Sequence, residues 1–341
     1  MVEGAALEKR WAMSPVGSNP TLSAEHGEVL EWPIRRAWRA RVAFGDRGFE
    51  SHPLRHAKPS MRRFFGHKTP TIGLALGTGA ARGLAHIGVL KALKEAAIPI
   101  DMIAGTSMGT MIGACFANEG EITAMEELAL KTSWRKLARL LDPKLSALKK
   151  GLIYGQRIEE LLHSIIGDVE FKDLKIPFVA IATDVNTGQE VVLRKGSVIE
   201  AVRASISIPG IFVPVTLNGR CLVDGGLTNP VPTEVLHDMG AKFIIAVNVL
   251  IEPPKSKRAA RLSKDSKMPD LPNIFNTLLQ SVYIMEYAII KARILKADVI
   301  INPDVSHIEA FEFRRGEEAI LEGYKAAKNA LPQLQRLISK R

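Results

Sequence analysis

Hydrophobic and polar residues follow regular periods from about residue 71 onward. Short apolar runs there predict buried strands, and apolar residues spaced three and four apart predict helices. Strands are predicted at Thr71–Leu76, Pro99–Ala104, Phe178–Thr183, Glu190–Leu193, Lys242–Leu250 and Val299–Ile301, with a hairpin at Val215–Val223. Helices are predicted at Leu84–Ala97, Met108–Asn118, Val198–Ser205, about Asn273–Lys296, and from Gly316 onward. This order predicts an α/β fold with a mostly parallel central sheet and helices on both faces.

The first sixty-odd residues have no sustained helical or strand period. One interpretation uses the genetic code. Gly48–His52 can be encoded by GGG-TTC-GAA-TCC-CAC, which contains the T-arm consensus of a transfer RNA gene, and complementary stem halves fit Gly27–Val29 and Pro53–Arg55. Residues 1–60 are therefore predicted to be a non-native extension, with the true start at Met61 and a hydrolase domain over 61–341. A genuine disordered arm is the alternative.

A second irregular segment covers residues 253–272, where four prolines alternate with lysines and arginines. Such a composition predicts a mobile, positively charged linker. The helix after it carries a wide apolar stripe, which includes Leu278, Val282 and Met285. Two interpretations stay open: the stripe docks on a lipid surface beside the linker, or it packs on the sheet.

Composition and charge narrow the class of protein. The chain of 341 residues is 46% hydrophobic and 24% charged, which is ordinary for a globular protein. Its net charge of +10 suits an anionic partner, but nucleic acid is not expected because no recognition motif is present. Two cysteines build neither a disulfide framework nor a zinc site, and no metal or cofactor is predicted. Without a signal peptide or an apolar span, we expect a cytoplasmic protein that contacts membranes peripherally.

The first motif with chemistry is Gly105-Thr106-Ser107-Met108-Gly109, between a predicted strand and an apolar helix. A G-x-S-x-G sequence in that setting describes a nucleophile elbow, in which a serine sits on a tight turn between small residues. The helix that follows points its N-terminus at Ser107, which favours negative charge there.

The second motif is a glycine-rich loop that also joins a strand to a helix. Its members are Gly77, Thr78, Gly79, Ala80, Ala81, Arg82 and Gly83. Backbone N–H groups at such a loop can form an oxyanion hole. A dinucleotide-binding turn is the alternative, but that motif requires glycine where Arg82 stands, and Asp101 is predicted inside the second strand.

The third motif is Asp224-Gly225-Gly226, at the end of the predicted hairpin. By itself this aspartate fits an ordinary turn, and it lies 117 positions after Ser107, so only the fold can bring them together. In this order, however, the three motifs resemble those of the patatin-like phospholipase family. The segments Ala201–Gly210 and Ala297–Ile301 are similar to its short bacterial members, related to the catalytic domain of neuropathy target esterase.

The resemblance implies a serine lipid acyl hydrolase of the phospholipase or lysophospholipase type, acting on a lipid or fatty-ester substrate. Ser107 would be the nucleophile and Asp224 the general base. The N–H groups of Gly79, Ala80 and Met108 would form the oxyanion hole, and Arg82 would brace the loop. Family members often carry glycines where Thr78 and Ala80 stand. A catalytically weak regulatory or lipid-binding protein is therefore the alternative.

The histidines leave little room for a Ser–His–acid triad. In the α/β-hydrolase order the histidine follows the acid, and only His237 and His307 come after Asp224. His237 is predicted on a helix surface and His307 in a loop, both in structural roles. His86, close to the glycine-rich loop, is expected to pack inside the first helix. The oligomeric state does not follow from the sequence.

Overall fold

The computed structural model describes residues 70–130, 155–250 and 274–341. The predicted extension at 1–60 and the predicted linker at 253–272 lie outside the described residues, so both stay predictions.

One sheet of eight strands runs through the described part of the chain. The strands are β1 (Ile72–Leu76), β2 (Met102–Thr106), β3 (Phe178–Asp184), β4 (Glu190–Leu193), β5 (Val215–Leu217), β6 (Arg220–Asp224), β7 (Phe243–Val247) and β8 (Val299–Ile301). Neighbours follow the order β5, β6, β3, β2, β1, β7, β8, and β4 also pairs with β3. Strands β3, β2, β1, β7 and β8 are parallel, whereas β4, β5 and β6 pair antiparallel. The prediction of a mostly parallel sheet is confirmed.

Helices cover both faces of this sheet. They are α1 (Ala85–Glu95), α2 (Met108–Glu119), α3 (Thr123–Leu130), α4 (Gln156–Ile166), α5 (Val198–Ser205), α6 (Thr233–Asp238), α7 (Ile274–Arg293) and α8 (Gly316–Ser339). Successive strand residues point to opposite faces. Leu74 of β1 therefore joins the core with α1, α2, α5 and α8, while its neighbour Ala75 joins a second core with α6 and part of α7.

The structure corrects several predicted boundaries. Strand β2 begins at Met102 and continues to Thr106, so the prediction of Pro99–Ala104 was shifted towards the N-terminus. Asp101 lies before this strand, where its carboxylate accepts the Ile72 N–H at 2.8 Å. The prediction that Asp101 lies inside the strand was wrong. Helices α3 and α4 were not predicted, and α6 was expected only as the helix that carries His237, without bounds.

Pairing along β3 brings two distant chain segments together. Ile181 pairs with Thr106, the last residue of β2, and the next residue, Ala182, pairs with Asp224, the last residue of β6. Strand β4 occupies the other edge of β3 at the same residues. Strands β2 and β6 therefore end beside each other on one edge of β3, which places Ser107 next to Asp224.

Helix α7 is only partly packed. Leu278, Ile284 and Met285 are each about half exposed, whereas Glu286 and Ile290 are buried. Within the predicted stripe, Met285 points outward while its neighbour Glu286 points inward, so packing on the sheet does not extend to Met285. Within the described ranges, neither α7 nor any other helix combines the length and the apolar character that crossing a membrane requires.

Helices α1 and α8 cross at unusually close range. A Cβ atom on Gly323 would lie 1.9 Å from the carbonyl oxygen of Ala85, and one on Gly88 would lie 1.9 Å from that of Ile320. Two backbones in contact leave no space for a methyl group, and an overpacked core is strained.

We expect Gly323→Ala to lower the free energy of unfolding by about 1–3 kcal/mol, because the helices must separate. Urea denaturation measures the change. Asn329→Ala, at an exposed position of the same helix, is the control and should leave the midpoint unchanged or raise it slightly. An unchanged midpoint for Gly323→Ala would mean that the two helices can move apart without lowering the free energy of unfolding.

Candidate active site

Ser107 lies on a sharp turn between β2 and α2. Its φ angle is 55°, in the left-handed region that residues other than glycine seldom adopt. The flanking glycines are required by space: a Cβ atom on Gly105 would lie 2.6 Å from the Cα of Thr110, and one on Gly109 would lie 2.1 Å from the carbonyl oxygen of Leu76. This turn holds the serine above the end of the sheet, where a nucleophile elbow presents its side chain.

The side chains of Ser107 and Asp224 meet in a buried environment. The Ser107 hydroxyl donates a hydrogen bond to Oδ2 of Asp224 at 2.6 Å, and the Gly226 N–H donates to Oδ1 at 2.8 Å. Burial raises the pKa of the Asp224 carboxyl to about 6, although both hydrogen bonds favour its ionised form. At neutral pH this carboxylate is ionised and in contact with the serine hydroxyl, as proton abstraction requires.

Helix α5 supports the turn at Ser107 through hydrogen bonds. The Ser107 N–H donates to Oγ of Ser205 at 3.0 Å, and the same Oγ lies 2.8 Å from the Thr110 hydroxyl. The carbonyl of Ser207 accepts the N–H of Asp224 at 3.0 Å. Sequence reasoning assigned no role to Ser205 or Ser207, because nothing local links them to residues about 100 and 17 positions away.

The glycine-rich loop is fixed along its length by hydrogen bonds. Backbone N–H groups of Thr78 and Ala81 donate to the carbonyls of Pro230 and Ala310, at 2.8 and 2.9 Å. Arg82 Nε donates to the carbonyl of Ile308 at 2.6 Å, so this side chain braces the loop.

Three backbone N–H groups, two from residues that share a cavity with Ser107 and one from the residue after it, have no partner among the described residues. They belong to Gly79, Ala80 and Met108. Ala80 adopts a φ angle of 48°, which changes the direction of the chain within the loop. Unpaired amides beside a nucleophile are what an oxyanion hole needs, since a developing negative charge accepts hydrogen bonds from them.

Among the described residues, no histidine takes part in the contact between Ser107 and Asp224. His86 is fully buried in α1, and its Nε2–H donates to the carbonyl of Gly77 at 2.8 Å, which supports the loop. Burial lowers the pKa of His86 to about 4, so its ring is neutral. His237 and His307 have side chains that are 79% and 42% exposed, and each lies beside a carboxylate at the surface.

A cavity of about 70 Å³ opens next to Ser107 and Asp224. Its lining is mostly apolar and consists of Thr78, Gly79, Ala80, Arg82, Ser107, Ile208, Pro209, Asp224, Leu250, Leu279, Val282, Tyr283, Glu286, Ala310 and Phe311. The Thr78 hydroxyl donates to Oε1 of Glu286 at 3.5 Å. Sequence reasoning missed Glu286, because a single acid in an apolar helix gives no sign of which way it points.

A larger, open depression of about 470 Å³ lies along β4 and the β5–β6 hairpin. Its lining includes none of the residues of the three motifs, so it is separate from the site around Ser107. Over the three described ranges, no group of three or more histidine, cysteine, aspartate or glutamate side chains is placed to hold a metal ion.

A family model and several curated proteins match this chain, and they indicate the same family. The family model described as patatin-like phospholipase matches residues 74–237, which include all three motifs. An uncharacterized NTE family protein of Mycobacterium tuberculosis is 39% identical over 191 residues, which are 56% of this chain and 52% of that protein. The neuropathy target esterase sws of Drosophila melanogaster is 31% identical in an alignment of 283 positions that covers 76% of this chain and 19% of that protein.

The chain thus spans about half the length of the mycobacterial relative and about a fifth of the fly protein. Among solved structures, VipD from Legionella pneumophila aligns over 78% of this chain and 67% of its own, with a TM-score of 0.45 and 14% identity.

Proposed function

The chain belongs to the patatin-like phospholipase family and is related to the neuropathy target esterases, and from this premise we propose that it is a serine lipid acyl hydrolase. Ser107 is the nucleophile and Asp224 is the general base. The observation that carries the proposal is the 2.6 Å hydrogen bond from the Ser107 hydroxyl to a buried carboxylate. No histidine lines the cavity in the described part of the chain, so a dyad accounts for the proton transfer.

The reaction runs in two stages. Ser107 Oγ bonds to the carbonyl carbon of the ester while Asp224 takes the hydroxyl proton. The tetrahedral intermediate then breaks its bond to the alcohol oxygen, and Asp224 returns the proton to that oxygen as the alcohol leaves. In the second stage water attacks the acyl-serine and gives a proton to Asp224. Collapse releases the fatty acid, and Ser107 Oγ recovers its proton.

The amides of Gly79, Ala80 and Met108 stabilise the oxyanion in both stages. Each forms a hydrogen bond with an oxygen that becomes negative only in the transition state, so the stabilisation accelerates the reaction. Loss of one such donor lowers kcat by about 10²–10³ in a well-studied serine hydrolase. The positive end of α2 adds to this field.

The substrate is an ester of a long acyl chain, such as a lysophospholipid or phospholipid. The apolar cavity lining suits an alkyl group, and family membership supports lipid as the substrate class. At about 70 Å³ the cavity is much smaller than the 300–1,000 Å³ typical of ligand pockets. It therefore takes the ester group and the adjoining carbons, and the rest of the chain extends beyond it.

A test combines covalent labelling with product analysis. The full chain is incubated with a fluorophosphonate, and the labelled peptide is identified by mass spectrometry; release of fatty acid from lysophosphatidylcholine is followed in parallel. We expect the label on Ser107 and release of fatty acid, neither of which occurs with heat-denatured protein. A folded protein that takes no label and releases no fatty acid would instead be the regulatory or lipid-binding protein.

The rate should depend on pH through Asp224. Because a base must be ionised to accept a proton, kcat/KM is expected to fall about tenfold per unit as the pH drops below the Asp224 pKa of about 6. The measurement uses an uncharged, soluble ester, with circular dichroism at each pH to show that the fold persists. If kcat/KM instead began to fall only at about pH 4, the ordinary pKa of aspartate, this result would contradict the effect of burial on the Asp224 pKa.

A further inference from the structure

Glu286 places a second carboxyl group at the cavity. It is the one acidic residue within α7, and only 8% of its surface is exposed. It lines the cavity together with Ser107 and Asp224, whereas Met285 beside it points to solvent. A carboxyl group buried among apolar residues loses its hydration, and this loss costs free energy that an interaction or a function must offset.

The two carboxyl groups are close to each other. A Cβ atom on Gly226 would lie 1.9 Å from Oε1 of Glu286 and 3.2 Å from Oδ1 of Asp224. Adding these distances shows that the two oxygens are no more than about 5 Å apart. A side chain at the second glycine of the Asp224-Gly225-Gly226 motif would therefore have to displace the Glu286 carboxyl group.

Hydrogen bonding decides which of the two carboxyls keeps a proton. Asp224 accepts from the Ser107 hydroxyl and the Gly226 N–H, at 2.6 and 2.8 Å, and these bonds favour the ionised form. Among the residues that the structure describes, the Thr78 hydroxyl, at 3.5 Å, is the one donor to Glu286. Burial, and then the charge of Asp224, raise the pKa of Glu286 well above its ordinary value. The charge therefore rests on Asp224 and the proton on Glu286.

The other titratable groups around Glu286 do not reverse this assignment. Arg82 favours an ionised Glu286, but its guanidinium donates to the Ile308 carbonyl and lies 4.9 Å from the centre of the Tyr283 ring. The Glu309 carboxylate also interacts with the Arg82 guanidinium, and its negative charge offsets part of the positive charge of Arg82. Tyr283, on the same helix as Glu286, is neutral at physiological pH because burial raises its pKa further.

We propose that Glu286 is a third functional side chain of this site: a positioning residue that stays neutral while Asp224 is charged, and whose deprotonation at alkaline pH slows turnover. The inference rests on the proposed roles of Ser107 and Asp224. While neutral, Glu286 holds the Thr78 hydroxyl and keeps α7 over the cavity. Once ionised, it places a second negative charge beside Asp224 and the developing oxyanion, and like charges this close in a buried site repel each other.

The pH dependence of the rate tests this role. We expect wild-type kcat/KM to fall on the alkaline side, and Glu286→Gln, which cannot ionise, to lack that fall. The ratio of the variant rate to the wild-type rate should therefore increase about tenfold or more from neutral to alkaline pH. The acid limb should not move, since Glu286 is already protonated when Asp224 titrates. Glu317→Gln, on the exposed start of α8, is the matched control, with a ratio independent of pH.

Two outcomes would overturn the inference. In one, Glu286→Gln keeps the alkaline fall. In the other, its acid limb moves to lower pH, which would mean that wild-type Glu286 is charged and raises the pKa of Asp224. A structural role alone would change the rate by the same factor at every pH, so the shape of the profile separates the two roles.

Infrared spectroscopy supplies a readout that does not depend on activity. With ¹³C-labelled glutamate, wild-type protein should show the carbonyl band of one protonated glutamate at neutral pH, and the band should disappear at alkaline pH. This titration needs no variant, so it still decides if Glu286→Gln fails to fold. If the fluorophosphonate labels Ser107 and the enzyme is active, but this infrared band is absent, the role of Glu286 is rejected. If the band is present but the fluorophosphonate does not label Ser107, the result supports a neutral Glu286 and rejects the proposed hydrolase activity.

Discussion

Replacing Ser107 by alanine is expected to remove ester hydrolysis and fluorophosphonate labelling together. Of the described groups in contact with Asp224, the hydroxyl alone can form the acyl intermediate, and alanine has no hydroxyl. In a well-studied serine hydrolase, loss of the nucleophile lowers kcat by roughly 10⁶, and the remaining catalysis comes from the oxyanion hole and substrate binding. We expect a decrease of similar order, measured as fatty acid release per molecule of enzyme.

The control for Ser107→Ala is Ser164→Ala. The Ser164 hydroxyl is exposed and donates only to the carbonyl of Leu161, one turn away on α4. This variant should keep both the label and the activity. Substantial hydrolysis by Ser107→Ala, with unchanged product chemistry, would show that another nucleophile or an activated water performs the reaction. The dyad would then be wrong.

Much of the fold follows from local sequence signals. The apolar runs that became β1, β3 and β8 were predicted because parallel strands are buried on both faces. The hairpin was predicted from Asn218-Gly219, and both residues do adopt positive φ angles, at 51° and 73°, as this kind of turn requires. Helix α5 was predicted with its observed ends, and in the structure Ser197 caps its first turn by accepting the Glu200 N–H.

From the residues alone, the site was predictable only where its geometry is local, and the pairing of Ser107 with Asp224 came from the resemblance to the patatin-like family. The elbow at Ser107 is a strand, a tight turn and a helix in direct succession, so the sequence displays it. Ser205 and Glu286 reach the site through tertiary packing, from helices with no motif of their own. Strand β2 was misplaced because Pro99 and Ile100 continue the apolar run, whereas pairing with β1 and β3 extends the strand to Gly105 and Thr106.

The meeting of Ser107 and Asp224 depends on β3, which neither motif includes. The partner of Ile181 is the last residue of β2, and the partner of Ala182 is the last residue of β6. Gly225 follows directly, and a Cβ atom there would lie 2.3 Å from the carbonyl oxygen of Ile181. The first glycine after Asp224 thus lets the chain turn against β3, and the second leaves space for Glu286.

Asp224→Asn is expected to lower kcat by roughly 10⁶, because an amide accepts no proton at neutral pH. The amide oxygen can keep the bond from the Gly226 N–H while the NH₂ group donates to Ser107 Oγ, so the contact persists with its direction reversed and the base is lost. In a well-studied serine hydrolase, loss of the general base costs about as much as loss of the nucleophile. The acid limb near pH 6 should also disappear from any remaining activity, since that limb belongs to the Asp224 carboxyl.

The same variant should unfold at a higher temperature than the wild type at neutral pH. The pKa of Asp224 is raised to about 6 in the folded state, so the folded protein binds more protons than the unfolded chain between about pH 4 and 6. Stability therefore falls as the pH rises through that window, and above it the buried charge opposes folding. Asparagine carries no charge, so this loss, of up to about 3 kcal/mol, is removed.

Asp184→Asn is the matched control for both measurements. Asp184 is a buried aspartate at the end of β3, and it accepts the Asn186 N–H in a turn outside the cavity. It should keep its activity within a few-fold and show no gain in stability. A loss of activity in Asp224→Asn together with a lower melting temperature would indicate damage to the fold. A loss of activity together with higher stability is the result that a buried, charged general base predicts.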